Sequence, residues 1–172
     1  FSFTILASPA VRACFEPCER SKNIIEIDAI GLKGIANWRL FWSIEKQVEP
    51  DAVFTIFGPT YWKPRVPHLV GFAWPHLVFQ ESPYFAKLNP VEYFFIRTKI
   101  EIKKYQFKKT ATSLVTESNE VSRRLSDILD LPTGSVATVS NCLPASFHRY
   151  RGDQGTHRNV GGRKKVLMVS AY

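Results

Sequence analysis

The sequence lacks several features that define large classes of protein. No apolar run approaches the roughly 20 residues needed to cross a bilayer, so no transmembrane helix is predicted. No internal repeat or low-complexity tract is present, which argues against a repeat protein. With 45% hydrophobic and 22% charged residues, the composition is typical of a folded globular chain and excludes a disordered one. Its 172 residues suffice for one domain with a substantial core.

Cysteine is scarce and odd in number, with Cys14, Cys18 and Cys142 as its three occurrences. Cys14 and Cys18 are four residues apart and would share one face of a helix. Their neighbours offer no convincing further metal ligands, so the sequence predicts no metal site. Reduced thiols in a cytoplasmic protein are the simpler interpretation.

Acidic residues are the minority among the charged ones. There are 15 Asp and Glu against 23 Lys and Arg, giving a formal net charge of +8. Such an excess favours an anionic partner, and nucleic acid, a sugar nucleotide and an acidic membrane surface all satisfy it.

Short apolar runs alternate with segments of helical spacing. The strand candidates are 3–7, 24–28, 52–57, 68–72, 113–116, 136–139 and 166–169. Most are nearly continuous in Val, Ile, Leu and Phe, as in strands covered on both faces of a parallel sheet. Helices are predicted over 35–48, over 91–109, and from the N-cap Ser118 to Leu129. The order predicts an α/β protein with a Rossmann-like, doubly wound, mainly parallel sheet and ligands at the C-terminal ends of its strands.

Two aromatic, proline-rich stretches follow neighbouring strand candidates. The first, 58–67, contains Tyr61 and Trp62, and the second, 73–90, contains Trp74, His76 and Tyr84. Both are predicted to be loops at the C-terminal ends of adjacent strands, where long loops usually form a binding crevice. The stretch 150–165 is polar and rich in Gly and Arg, which is typical of a linker.

Several segments, in order, resemble glycosyltransferase family 4, a family of retaining enzymes with the GT-B fold. Residues 50–59, PDAVFTIFGP, are similar to the family's buried strand that leads into an active-site loop, and PHLVGFAWP follows at 67–75. LVTES at 114–118 resembles the next core strand and helix start. VATVSNCLPASF at 136–147 is similar to the passage that closes the N-terminal domain, and KKVLMVS at 164–170 to the first strand of the C-terminal domain.

The resemblance implies an N-terminal acceptor-side domain over 1–148, a linker over 149–164, and a truncated C-terminal, donor-binding domain from 165 to 172. Because both ends fall in strand-like segments, we expect a piece of a longer enzyme that is inactive alone. The whole enzyme would move a sugar from a nucleotide-sugar donor to a glycan or lipid-linked acceptor. The resemblance implies no cofactor besides the donor substrate. A cytoplasmic location, peripheral on the inner face of the membrane, is expected.

Departures from the family pattern bear on the site. A histidine that family members often carry at the end of the strand at 68–72 is replaced by Ala73, and the usual glycine after Asn141 by Cys142. The family's glycine-rich loop and its acidic donor-site motif fall outside this sequence. No catalytic residue is therefore assigned, and His76, three residues after Ala73, is a weak candidate.

The resemblance implies a cleft formed by the two loops. Its expected residues are Gly58, Pro59, Tyr61, Trp62, Gly71, Phe72, Ala73, Trp74 and His76. Gly58 would let the backbone approach a ligand, or would serve a simple turn. Trp62 and Trp74 would stack on sugar faces or pack in the core, and their loop context favours exposure. Asn141 and Ser170 would lie between the domains.

Two titratable residues near these loops favour structural roles. His68 lies inside a predicted strand, where a packed histidine is the simpler interpretation. Glu117 would be a charge near a helix N-terminus, because no carboxylate partner for acid–base chemistry is visible.

The helix over 91–109 is basic, and its expected contacts with a membrane or an anion are Arg97, Lys103, Lys104 and Lys108. The alternative is an ordinary solvent-exposed helix face, on which Glu101 reduces the positive charge. Nucleic acid is not expected as a partner, because no reader motif is present.

Two other functions remain open. One is a non-catalytic Rossmann-like module that binds an anionic ligand, a membrane or a partner, and the other is a GT-B sugar-nucleotide epimerase.

Overall fold

The strands form a parallel sheet. A computed structural model describes residues 2–13, 23–27 and 37–140, together with the backbone of 165–169. Its strands are β1 Ser2–Ala7, β2 Ile24–Glu26, β3 Ala52–Thr55, β4 His68–Gly71, β5 Ser113–Thr116, β6 Val136–Thr138 and β7 Lys165–Val169. All pairings are parallel, in the order β2-β1-β7-β3-β4-β5-β6. The α/β class and the parallel strands predicted from the sequence are therefore confirmed.

Strand β7 joins a pair of strands, β1 and β2, to a group of four, β3 to β6. Its backbone pairs with β1 on one side and with β3 on the other. The sequence resemblance predicts instead that this segment begins a second domain. The division into domains stays a prediction, because the linker expected at 149–164 lies outside the described residues.

Six helices connect the described strands. They are α1 Pro9–Arg12, α2 Trp38–Val48, α3 Pro75–Val78, α4 Pro83–Ala86, α5 Pro90–Thr110 and α6 Asn119–Leu129. Helix α5 begins at a capping box in which the Asn89 side chain accepts from the Glu92 amide and the Glu92 carboxylate accepts from the Asn89 amide. Ser118 caps α6, as the sequence predicts, by accepting from the Val121 amide at 3.3 Å.

The short helices α3 and α4 differ from the sequence prediction, which assigns a loop to all of 73–90, and α1 is a third single turn of the same kind. Each begins at a proline, whose fixed φ and missing N–H suit the first helical position. A single helical turn leaves too little hydrophobic periodicity to be recognised in the sequence.

Two hydrophobic clusters support the sheet. One packs α2 against β1 and β3 through Leu6, Phe41, Ile44, Val53 and Trp62, together with Ile27. The other joins α3 to α6 with β4 and β5, and its members include Val70, Phe72, Leu77, Ile100, Phe107, Leu114, Leu125 and Leu129. The loop after β3 therefore packs against the first cluster, and the segment after β4 packs against the second.

Candidate functional site

A cleft opens at the C-terminal ends of β4 and β5. Its volume is about 310 Å³, and the described residues that line it are Phe72, Ala73, Trp74, Pro75, Phe79, Glu117 and Val121. Because β4 and β5 are parallel neighbours, the segments that leave them reach the same edge of the sheet. Ligands are expected at this edge in an open parallel sheet, so the cleft is the candidate site.

The end of β4 places one aromatic residue inside the core and the next one at the cleft. The Phe72 amide donates to the Val115 carbonyl at 2.8 Å, and the Phe72 ring packs against Phe107 with centroids 5.4 Å apart. Ala73 is exposed, and Trp74 is partly buried beside it. Pro75 then begins α3, which fixes the direction in which the chain leaves the sheet. The ring of Trp74 is thus held at the cleft by rigid elements on both sides.

Two lysines of α5 flank Trp74. The ammonium of Lys99 lies 5.6 Å from the centre of the indole and that of Lys103 lies 5.7 Å from it, both within cation–π range. Burial, and to a lesser extent the nearby charge of Lys99, lowers the pKa of Lys103. Trp74 is therefore flanked by two positive charges, although neither lysine is among the described residues that line the cleft.

Glu117 lines the cleft from the β5 side. It follows the last residue of β5 and precedes Ser118, the N-cap of α6, and its side chain is exposed. Among the described residues that line the cleft, it is the one carboxylate. The position agrees with a charge near a helix N-terminus, and it also brings a hydrogen-bond acceptor to the cleft.

His76 lies beside the cleft, within an aromatic cluster. Its ring stacks on Tyr84 with centroids 4.7 Å apart, meets Phe85 edge-on at 5.9 Å, and meets Trp74 edge-on at 6.4 Å. His76 is not among the described residues that line the cleft. These contacts give His76 a packing role next to Trp74, and its catalytic role stays a prediction.

The first aromatic loop folds inward, so the expectation of an exposed Trp62 is wrong. Trp62 is 2% exposed and stacks on Phe41, with centroids 5.3 Å apart. Its Nε1–H donates to the buried carboxylate of Glu45 at 3.0 Å, and the Arg65 amide donates to the other oxygen of Glu45 at 2.6 Å. Glu45 thus draws the loop onto α2, and the indole has no free face for a sugar.

Gly58 and Gly71 serve the approach of the two loops to each other. The Gly58 amide donates to the Gly71 carbonyl at 2.9 Å. A Cβ on Gly71 would lie 1.8 Å from the Ile56 carbonyl oxygen, and one on Gly58 would lie 2.2 Å from a Val70 methyl. Ligand approach was one expectation for Gly58, but here the atoms that require glycine belong to the protein.

Two further residues that were expected in the cleft, Tyr61 and Pro59, lie at least partly inside the protein. Tyr61 is partly buried, whereas Pro59 is buried and joined to Gly58 by a cis peptide bond. Neither residue is among those described as lining the cleft. Of the expected residues, the cleft is therefore lined by Phe72 at the end of β4 and by Ala73 and Trp74 of the second loop, and the first loop supplies none.

His68 is structural, as predicted, at the opposite end of β4. It is 1% exposed, and its Nδ1–H donates to the Thr110 carbonyl at 2.7 Å. In this neutral tautomer Nε2 accepts from the Thr55 hydroxyl at 2.8 Å. Burial lowers the pKa of His68, although the Thr110 hydrogen bond and the charge of Glu45 oppose the shift.

The four cations expected to meet a membrane or an anion lie in different settings. Arg97 donates to Gln80, Lys103 lies beside Trp74, and Lys104 pairs with Glu101 at 2.9 Å. Lys108 is exposed. Most of this set is therefore engaged with the protein itself. Sequence reasoning did not connect Lys99 and Lys103 with Trp74, although their i, i+4 spacing showed that they share one face of α5.

Other predicted residues fall outside the described part of the chain, namely Asn141, Ser170, Cys14, Cys18 and Cys142. Within that part, no group of three or more His, Cys, Asp or Glu is placed to hold a metal ion. No helix there is both long enough and apolar enough to pass through a membrane. Comparison with known protein families, curated proteins and solved structures gives no match to this chain.

Proposed function

We propose that this chain is the acceptor-side, Rossmann-like part of a retaining GT-B glycosyltransferase, which moves a sugar from a nucleotide-sugar donor to a glycan or lipid-linked acceptor. The observation that carries the proposal is the cleft at the C-terminal ends of β4 and β5, with Trp74 in its wall. The order of segments that resembles family 4 supports the same conclusion.

The chemistry of the cleft suits a carbohydrate. The partly exposed indole of Trp74 offers an apolar plane that matches one side of a pyranose ring. Glu117 offers acceptor oxygens for sugar hydroxyls from the β5 side. Sugar transfer also requires a positioned acceptor, and both residues follow ends of strands, so they provide rigid points of attachment.

A second candidate function is supported by the lysines. Lys99 and Lys103 place two positive charges against Trp74, next to the cleft, which favours a phosphate or carboxylate ligand. A non-catalytic module that binds an anionic ligand would use the same cleft without turnover. The two functions therefore differ in whether a nucleotide sugar is consumed.

The test is nucleotide release from a panel of sugar nucleotides, measured on the full-length protein with and without glycan and lipid-linked acceptors. We expect one donor to be turned over in the presence of an acceptor. Trp74→Ala should then raise the acceptor KM about tenfold through loss of the stacking surface. Trp38→Ala is the matched control, because Trp38 is exposed on α2 and does not line the cleft.

Failure of every donor to bind or turn over would contradict the transferase. Direct titration of the same protein with inorganic pyrophosphate then tests the second candidate. Binding that is weakened by Lys99→Ala and unchanged by Lys63→Ala would support an anion-binding module, because Lys99 lies against Trp74 at the cleft wall, whereas Lys63 is an exposed lysine of the first loop.

A further inference from the structure

Helix α5 has two apolar faces, and one of them is exposed. Ile100 and Phe107 lie on the buried face. The opposite face carries the residues that we call the outer stripe, each more than half exposed: Val91, Phe94, Phe95, Ile102 and Tyr105. An amphipathic helix in a globular protein normally turns polar side chains to the solvent. The outer stripe is therefore a feature that packing among the described residues does not explain.

The outer stripe follows one side of the helix. Its members are spaced by three, four or seven residues, apart from the adjacent pair Phe94 and Phe95, so they follow the helical period. From Val91 to Tyr105 the stripe extends about 21 Å, at 1.5 Å per residue. The rings of Phe94 and Phe95 meet edge to face with centroids 6.2 Å apart. The stripe thus places two groups of apolar side chains on one side of α5, with the exposed Thr98 between Phe95 and Ile102.

Positive charge surrounds this surface. Helix α5 contains six basic residues and two acidic ones. Lys99, Lys108 and Lys109 are exposed, and the ammonium of Lys109 lies 5.4 Å from the centre of the Tyr105 ring. The two carboxylates are both engaged, Glu92 in the capping box and Glu101 with Lys104. The charge available next to the outer stripe is therefore positive.

We propose that the outer stripe binds the surface of an anionic lipid bilayer. Helix α5 would lie along the membrane, with Phe94, Phe95 and Ile102 inserted at the level of the acyl chains. Lys108 and Lys109 would meet the headgroups, because long cationic side chains reach past an apolar surface to phosphate. The proposal rests on α5 and does not depend on the proposed transferase activity.

Charge decides between a membrane and a second copy of this chain. Self-association through the stripe would bring together two chains of net charge +8, with lysines flanking both surfaces. Such juxtaposed like charges disfavour the contact. An anionic bilayer accepts apolar side chains and attracts the same lysines, so it satisfies both parts of the surface.

The test is sedimentation of the full-length protein with vesicles of phosphatidylcholine that contain roughly one-third phosphatidylserine. We expect binding that is at least about tenfold weaker for vesicles of phosphatidylcholine alone, since each lysine gains from anionic headgroups. The double variant Phe94→Ser/Phe95→Ser should bind the anionic vesicles at least about tenfold more weakly, because two aromatic insertions are lost. Ile102→Ser/Tyr105→Ser is a second, independent pair and should weaken binding in the same direction.

Two matched controls isolate the surface. Trp38→Ser/Leu40→Ser removes an exposed apolar pair from α2 and should leave binding unchanged. Lys63→Glu/Lys87→Glu changes the net charge as much as Lys108→Glu/Lys109→Glu does, and all four lysines are exposed. Only the pair on α5 should reduce the preference for anionic vesicles beyond the effect of net charge.

Two results would overturn the proposal. One is undiminished vesicle binding by both stripe variants, each with an unchanged circular dichroism spectrum. The other is absence of vesicle binding together with concentration-dependent association in sedimentation velocity that Phe94→Ser/Phe95→Ser abolishes, which would identify a second copy as the occupant. Neither result depends on donor turnover, so the membrane proposal can fail while the transferase proposal stands, and the reverse also holds.

Discussion

The loops that follow β3 and β4 have similar compositions and different structures. Each contains a tryptophan within a few residues of proline, yet Trp62 is buried and Trp74 is partly exposed at a cleft. The difference lies in their polar partners. Glu45 accepts a hydrogen bond from the indole of Trp62 inside the protein, whereas Lys99 and Lys103 meet the face of Trp74 near the surface. A tryptophan in a loop therefore does not by itself indicate a binding site. The residues that surround its indole decide whether the ring is buried or exposed.

The largest expected effect separates the two tryptophans by stability. Trp62→Ala should lower the free energy of unfolding by about 3–5 kcal/mol, because it empties a buried site between Phe41 and His68 and leaves Glu45 without a donor. Trp74→Ala should cost about 1 kcal/mol, since the ring already lies partly in solvent. Urea denaturation of both variants at neutral pH measures the difference. Equal losses of unfolding free energy in the two variants would contradict the contrast, because they would show that both tryptophans contribute equally to stability.

The next effect concerns the carboxylate that holds the first loop. Glu45→Ala should cost about 2–3 kcal/mol, because the indole N–H of Trp62 and the amide of Arg65 would lose the same buried acceptor. Gln47→Ala is the matched control, an exposed side chain of similar length on α2, and should change stability by less than about 0.5 kcal/mol.

The fluorescence of Trp62 provides an independent measurement of the same variant, with the other three tryptophans, Trp38, Trp42 and Trp74, replaced by Phe. Its emission should shift to longer wavelength in Glu45→Ala if the loop leaves the surface of α2. A stable Glu45→Ala protein with unchanged emission would mean that apolar packing alone keeps the loop in place. The emission maximum of Glu45→Gln should lie between those of the unmodified protein and Glu45→Ala, because an amide offers one acceptor oxygen where the carboxylate offers two.

The sequence predicted the framework well because local physics determines it. Continuous apolar runs predicted the strands of a parallel sheet, and Ser118 predicted the start of α6 through its capping geometry. The single-turn helices α3 and α4 were missed because one turn carries almost no periodic signal. The order of the strands around β7 was not predictable from local patterns, because it depends on contacts between distant residues.

The site was less predictable, because it depends on which side chains meet. The sequence located the crevice at the end of β4 and named Trp74, but it did not pair Trp74 with Lys99. It assigned exposure to Trp62 because the carboxylate that buries the indole is 17 residues away in the chain. It also treated α5 as a basic helix, since the apolar residues of the outer stripe look like core residues until the other face is known to be buried.

The smallest effect concerns His68, which lies against Trp62 at 6.1 Å and supports the first loop from the sheet side. Because burial lowers its pKa below the ordinary value of 6.5, the unfolded chain binds a proton more readily than the folded one. Stability linked to His68 is therefore complete above pH 6.5 and is lost as the pH falls from there through the lowered pKa of the folded state. The free energy of unfolding, measured by urea titration across this range, should decrease with acidification.

His68→Gln removes the titrating group and should make this decrease shallower, while costing about 1 kcal/mol at neutral pH, because one of two buried hydrogen bonds is lost. His76→Gln is the control, since it alters a histidine of the second loop and leaves the buried network intact. Because His68 is the buried histidine that supports the first loop, we expect the change at position 68 to flatten the acid dependence of stability. An equal flattening in both variants would place the acid sensitivity in the second loop as well, and the contrast between the loops would then be confined to their tryptophans.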